Sequence, residues 1–303
     1  MAAAYRVVGG KIQTPACEVE IVEHCNLSCR SCSHLSPVLP KYSVDPDEVA
    51  RDLTLLSRHY RARWVSLLGG EPLLHPDLMA VIDAARRSGV ADVVRVVTNG
   101  LLLPRMPNEF WQAVDDVRVS LYPGRELSPA QQRDCRRRAK AARVRLRFER
   151  PREFRESYSE QGTDDPGLAQ AIFDSCRVAH DWRCHAVAHG RFYKCPQSYF
   201  LPKMVDGCAG NQALDSVPIT DSVTFGEDLL AYLESPEPLA SCGHCLGTAG
   251  RRFPQAQVRR VEFRGLQRRP AEELVDPNLL EPVRPGGPRS RVRSLVGRVS
   301  RSR

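Results

Sequence analysis

Short apolar runs and helical stretches take turns through the first half of the chain. Cys17 to Glu23 (CEVEIVE), Arg63 to Leu68 (RWVSLL), Asp92 to Thr98 (DVVRVVT), Asp116 to Tyr122 (DVRVSLY) and Arg143 to Glu149 (RVRLRFE) read as strands. Helices are predicted between them, near Asp45 to Tyr60, Asp77 to Ser88, Glu109 to Val114 and Pro129 to Ala142, and Asp45-Pro46 is a helix start signal. Five strands separated by helices imply an α/β fold of βα units with a parallel sheet, a partial (β/α)6-type barrel. From Pro151 the pattern changes: Arg183 to Ala188 and Phe192 to Lys194 flank His189-Gly190-Arg191 and read as a β-hairpin. Beyond Gly265 the chain turns to Arg, Pro, Gly and Ser and is expected to be disordered. The expected organisation is an N-terminal segment 1–16, a barrel core 17–150, a cysteine-rich domain of hairpin and helices 151–265, and a basic tail 266–303.

Composition narrows the class. Of 303 residues, 42% are hydrophobic and 26% charged, which excludes a fibre or wholesale disorder. No apolar run approaches the roughly 18 to 20 residues that cross a bilayer, and Met1 to Lys11 has no signal-peptide pattern, so a cytoplasmic chain without a membrane partner is expected. The net charge of +8 is concentrated on Arg284, Arg289, Arg291, Arg293, Arg298, Arg301 and Arg303, with no acidic residue among them. The rest is close to neutral. An RNA-modifying or binding role would use that tail on phosphates, but it lacks interleaved aromatics, and nucleic acid is not the expected partner. Eleven cysteines in a reducing compartment point to metal ligation rather than disulfides.

Cys25-Asn26-Leu27-Ser28-Cys29-Arg30-Ser31-Cys32 places three thiols within eight residues. A 4Fe-4S cubane normally takes four thiolates, so three leave one iron open to a chelating cofactor. The competing use is a structural zinc, supplemented by His24 or His34. With Gly69-Gly70-Glu71-Pro72 after the second strand and Thr98-Asn99-Gly100 after the third, the chain resembles the radical S-adenosylmethionine (SAM) superfamily. The resemblance implies a reducible 4Fe-4S cluster on Cys25, Cys29 and Cys32, SAM chelated at the open iron, and a 5′-deoxyadenosyl radical that abstracts hydrogen from the substrate. It carries SAM binding to Gly69, Gly70 and Glu71 at the methionyl amine, and to Thr98, Asn99 and Ser120. An ordinary turn and capping hydroxyls are the plainer reading of these positions. Ser31 departs from the pattern, because the family usually has an aromatic residue there, near the adenine.

Cys176 and Cys195 stand as Cys-x13-Gly190-x4-Cys, followed by Cys242-Gly243-His244-Cys245. This resembles the Twitch form of the SPASM extension and implies one auxiliary 4Fe-4S cluster on Cys176, Cys195, Cys242 and Cys245. Zinc on the same four thiolates is the alternative. Cys184 and Cys208 are left over as candidate hydrogen donors, Cys208 on what reads as a flexible loop; Cys17 and Cys135 read as structural. Within the Twitch group the chain looks most like the dehydrogenases of antibiotic biosynthesis that oxidise a secondary alcohol of 2-deoxy-scyllo-inosamine. The expected reaction is therefore oxidation of a carbinol of a sugar or aminocyclitol, with a flavodoxin or ferredoxin as reductant. The alternatives are a sugar epimerase with a cysteine hydrogen donor and a peptide-modifying maturase, although only 16 residues precede the first strand. A molybdopterin-type cyclase fits less well, lacking a three-cysteine auxiliary pattern and a Gly-Gly terminus. Arg145, Arg147, Glu149 and Arg150 are candidates to line the cavity.

Overall fold

A computed structural model describes residues 5–283. Eleven strands are found among them: β1 (Arg6–Val8), β2 (Lys11–Val22), β3 (Tyr60–Gly69), β4 (Ala91–Thr98), β5 (Asp116–Ser120), β6 (Arg145–Glu149), β7 (Glu153–Arg155), β8 (His185–Ala188), β9 (Arg191–Tyr193), β10 (Ser216–Pro218) and β11 (Arg252–Pro254). Nine form one sheet in the order β10-β9-β8-β2-β3-β4-β5-β6, with β1 antiparallel to β2. β2 to β6 are parallel neighbours in sequence order. Four helices connect them: α1 (Pro46–Leu56), α2 (Leu78–Arg87), α3 (Asn108–Ala113) and α4 (Pro129–Ala141). Local chemistry starts two of these. Asp45 accepts from the Asp47 N–H with Pro46 in the first turn, and Ser128 and Gln131 form a reciprocal capping box.

Strand alternation divides the sheet into two faces. Val19, Ile21, Val65, Leu67, Val96, Val117 and Val119 pack with Leu53, Val81, Ile82, Phe110, Trp111 and Ala139 in the main core. Cys17 and Cys135 are buried there too, in keeping with a structural role. The other face carries Glu18, Ser66, Arg95 and Asp116.

The sheet is an open partial barrel. The sixth parallel strand is not a successor to β6: it is β8, which joins β2 on the opposite edge after a long excursion. Arg145, Arg147 and Glu149 on β6 therefore remain exposed. The hairpin forms as expected, with His189 and Gly190 at φ 49° and 68° in its turn. It builds no separate sheet, however, because β8 pairs with β2 through backbone groups that leave no sequence signal.

The expected disorder from 266 onward does not hold to 283. Gln267, Ala271 and Leu274 are fully buried, and Ala271, Leu274 and Val275 pack on Ile172, Leu246 and Ala249. Average composition concealed a short apolar stripe able to close a small core. The remainder of the expected tail, 284–303, lies outside the described residues. Among the described residues no helix is long and apolar enough to cross a membrane. Leu274→Ala is expected to cost about 2–5 kcal/mol of stability, measured by denaturant unfolding; an unchanged midpoint would show that this segment contributes nothing to the fold.

Candidate active site

β2 ends at Val22 and the chain enters the cysteine loop at the carboxyl end of the sheet, the end where α/β barrels place their chemistry. Cys25, Cys29 and Cys32 line one pocket there, with Gly69, Gly70, Thr98, Asn99 and Ser120 on its opposite walls. Residues from three strand ends and one loop thus meet around this pocket, while Glu71 does not line it.

Glu71 is fully buried and does not line the pocket. Its carboxylate accepts from the Thr98 hydroxyl at 2.5 Å, the Asn99 N–H at 2.8 Å and the Leu73 N–H at 3.1 Å. Burial pushes its pKa up to about 7 against the pull of these donors. In this structure the Glu71 side chain braces the loops after β3 and β4. The Thr98 hydroxyl is engaged likewise, donating to Glu71 and accepting from the Gly100 N–H. The glycines answer to a close backbone approach: a Cβ on Gly69 would lie 2.1 Å from the Val22 carbonyl oxygen, and one on Gly70 2.0 Å from that of His24. Gly70 and Glu71 donate their N–H groups to Val22 and His24, which docks this turn onto the entry to the cysteine loop.

Three further contacts hold the loop. Asn99 donates to the Asn26 side chain at 2.7 Å and toward the Cys25 sulfur at 3.7 Å. Ser31, in the left-handed region at φ 51°, turns its hydroxyl to Ser157, whose N–H donates to it at 2.9 Å. The position where the family usually has an aromatic residue is thus a buried tether. The third contact was illegible in the sequence: Gln257 donates to the Cys29 sulfur at 3.1 Å and Gln255 at 3.5 Å. A short antiparallel pairing supports both, with Arg30 N–H to Ala256 O at 2.9 Å and Val258 N–H to Ser28 O at 2.8 Å. Tyr122 also lines the pocket, and burial raises its hydroxyl pKa, followed by the Cys29 and Cys32 thiols.

Burial raises the pKa of all three thiols, Cys25 to about 12 and Cys32 to about 11, so ligation must release their protons. Three soft sulfurs around an open pocket, one of them already receiving two amide N–H donors, fit a three-cysteine cluster with room for a chelating ligand.

Cys176, Cys195, Cys242 and Cys245 line a second, mainly apolar pocket beside Phe173 and Gly247. Gly247 at φ 52° leaves space, since a Cβ there would lie 3.2 Å from the Cys176 sulfur. The buried Lys194 ammonium is a nearby cation. Burial lowers its pKa to about 8, while Cys195 and Cys242 pull the other way. Four thiols and a cation suit an anionic cluster. Among the described residues no three His, Cys, Asp or Glu side chains converge tightly enough to hold a single ion.

The leftover cysteines separate. Cys184 keeps accessible surface and donates its thiol to the Glu18 carboxylate, while burial lifts its pKa well above the usual range. Cys208 is not on a flexible loop; it is fully buried with Tyr193, Phe200 and Cys245 and lines neither cysteine pocket.

A three-thiol pocket at the carboxyl ends of parallel strands defines a protein that binds a cluster together with a chelating cofactor. Residues 19–153 match the family model of the Radical SAM superfamily, and the chain carries this domain, whose cofactors are a 4Fe-4S cluster and SAM. Among curated proteins it is similar to a GTP 3′,8-cyclase of Chlorobaculum tepidum, 31% identical over 34% of this chain and 31% of that one. A second similar protein is the human molybdenum cofactor biosynthesis protein 1, 28% identical over 34% of this chain and 17% of that one. The chain spans about a third of the length of the cyclases it matches. A solved structure of BtrN in complex with AdoMet and 2-DOIA aligns over 77% of this chain and 93% of that one, at 17% identity and a TM-score of 0.42.

Hydrogen bonds to cluster sulfurs stabilise the more negative, reduced state. With the cluster assembled, Gln257→Leu is therefore expected to lower the midpoint potential in an EPR-monitored redox titration at unchanged iron content. An unchanged potential would show that the amide has no such influence.

Proposed function

We propose that this radical SAM enzyme oxidises a carbinol of a hydroxylated small molecule, a sugar or aminocyclitol, and that Cys176, Cys195, Cys242 and Cys245 hold an auxiliary 4Fe-4S cluster. When bound, that cluster supplies a one-electron acceptor. The observation carrying this reading is the convergence of four thiols, from Cys176 to Cys245, on one buried pocket outside the matched domain. The cysteines of the loop hold the first cluster, Gly69 and Gly70 let their turn pack on the backbone of Val22 and His24, and Glu71, Asn99 and Ser31 keep the loop in place. The cyclase relatives support radical SAM chemistry, but alignment over a third of the chain does not carry their substrate across.

A second reading, epimerisation with a thiol as hydrogen donor, is favoured by one observation: the Cys184 thiol reaches Glu18 on the inner face of β2. On the geometry Cys208, enclosed in apolar side chains, is the weaker donor.

Anaerobically reconstituted protein is expected to hold about eight irons per chain, falling to about four when Cys25, Cys29 and Cys32 are all changed to Ala. Zinc in place of the residual iron, measured by metal analysis, would remove the auxiliary cluster from the proposal. With SAM, reductant and candidate sugars or aminocyclitols, mass spectrometry is expected to show loss of two mass units, abolished in Cys242→Ala and retained in Cys208→Ala. An isomer carrying solvent deuterium, lost in Cys184→Ala, would instead establish epimerisation.

A further inference from the structure

The inner face of the sheet is polar, and its charges are sorted across the strands. Register brings Glu18, Ser66, Arg95, Asp116 and Arg145 into one row from β2 to β6, with Glu20 beside Leu68 in the row nearer the pocket. The cations closest to this surface have partners. Arg95 lies 3.1 Å from Asp116, Arg118 lies 3.0 Å from Asp116 and from Glu149, and Arg145 lies 3.6 Å from Asp116. Lys203 is bound to Glu23 and to the Tyr199 hydroxyl.

The carboxylates of β2 have no such close ion pair, although the Lys203 charge acts on Glu20 and the Arg95 charge on Glu18. The Glu20 side chain has no accessible surface, and neither of its oxygens has a hydrogen-bond partner. Its nearest polar neighbour is His34 Nε2 at 3.9 Å, which is also unpartnered. Glu18, one row deeper, accepts from the Cys184 thiol and keeps some accessible surface. Leaving a buried carboxylate without donors costs free energy on the scale of several hydrogen bonds. Burial, with Glu18 and Glu23 close by, outweighs the opposing Lys203 charge and drives the Glu20 carboxyl toward its neutral form; an arriving cation would restore the charge. The location is suggestive as well, because Leu68 and His34, the two neighbours of Glu20, both line the three-cysteine pocket.

We propose that Glu20, which lies behind Leu68 and His34 of the pocket lining, is, seconded by Glu18, an ammonium subsite that receives a protonated primary amine of the substrate at that edge of the pocket, so that the substrate is an amino sugar or aminocyclitol rather than a neutral polyol. An ammonium brings three N–H donors and a positive charge to the two Glu20 oxygens, which have no hydrogen-bond donor. A hydroxyl in its place brings one donor and no charge. The proposal rests on the preceding reading only for the substrate's hydroxylated, small-molecule character.

The test uses the full chain with clusters assembled and SAM present but no reductant, so that nothing turns over. Calorimetric titrations compare glucosamine with glucose, and scyllo-inosamine with scyllo-inositol. In at least one pair the amine is expected to bind about tenfold or more tighter, the worth of a charge-assisted hydrogen bond. Glu20→Gln is expected to bring the two members to parity with SAM affinity unchanged. No preference for the amine in either pair, whether from equal affinity or from no binding, overturns the proposal without any variant. A preference that survives Glu20→Gln, or Glu20→Met should the first fail to fold, overturns it equally. Amine preference without loss of two mass units on turnover would keep the subsite and remove the oxidation; oxidation of a neutral polyol with no amine preference would do the reverse.

Discussion

The Glu71 carboxylate, fully buried and holding three donors, is the brace on which the carboxyl end of the sheet depends. Its bonds to the Thr98 hydroxyl and the Asn99 N–H join the loop after β3 to the loop after β4, and the Leu73 N–H closes its own turn. Asn99, fixed in this way, reaches across to Asn26 and the Cys25 sulfur. On the other side, the Gly69-Gly70 turn lies against the backbone of Val22 and His24. A buried carboxylate with a complete set of donors rigidifies what it touches, whereas the same group with one donor missing would destabilise it. The three-thiol pocket inherits its shape from that single acid.

From this brace the C-terminal half is drawn into the site. The segment around Gln255 to Val258 pairs with the cysteine loop and gives Cys29 two amide donors. Ser31 is tethered to Ser157, and the next residue, Tyr158, pairs with Cys245 of the second thiol set. The two cysteine pockets are therefore joined by a few residues of backbone, and a shift in one loop strains the other. β8, by completing the parallel set beside β2, brings Cys184 to Glu18 and places the start of the second thiol region along the inner face of the sheet.

That inner face combines two treatments of charge. Toward β6, arginines and carboxylates satisfy one another around Asp116. Toward β2, Glu20 has no hydrogen-bond donor, and the Lys203 that acts on it is bound to Glu23. Paired charges in a cavity are a stable wall, whereas an unpaired one gains free energy when a complementary ligand arrives. The contrast gives the lumen a direction, acidic beneath the cysteine loop and neutralised at its open edge.

Periodicity and the helix start signals were sufficient to determine the five successive strands, their helices and the hairpin turn, and the cysteine spacings, with the resemblance they carry, pointed to the thiols that line the two pockets. These are local properties: alternation follows from the strand's two-residue repeat, capping from groups two or three residues apart, and a three-cysteine loop from chain reach. Tertiary structure alone decided that β8 joins β2 rather than β6, that Gln255 and Gln257 meet Cys29, that Cys184 and not Cys208 faces Glu18, and that Glu71 braces the loops after β3 and β4. It also ordered 266–283, where a few apolar residues close a small core within a polar composition. Each of these depends on backbone hydrogen bonds or side-chain contacts between positions far apart in the chain, and such pairings leave no mark on the residues' local pattern.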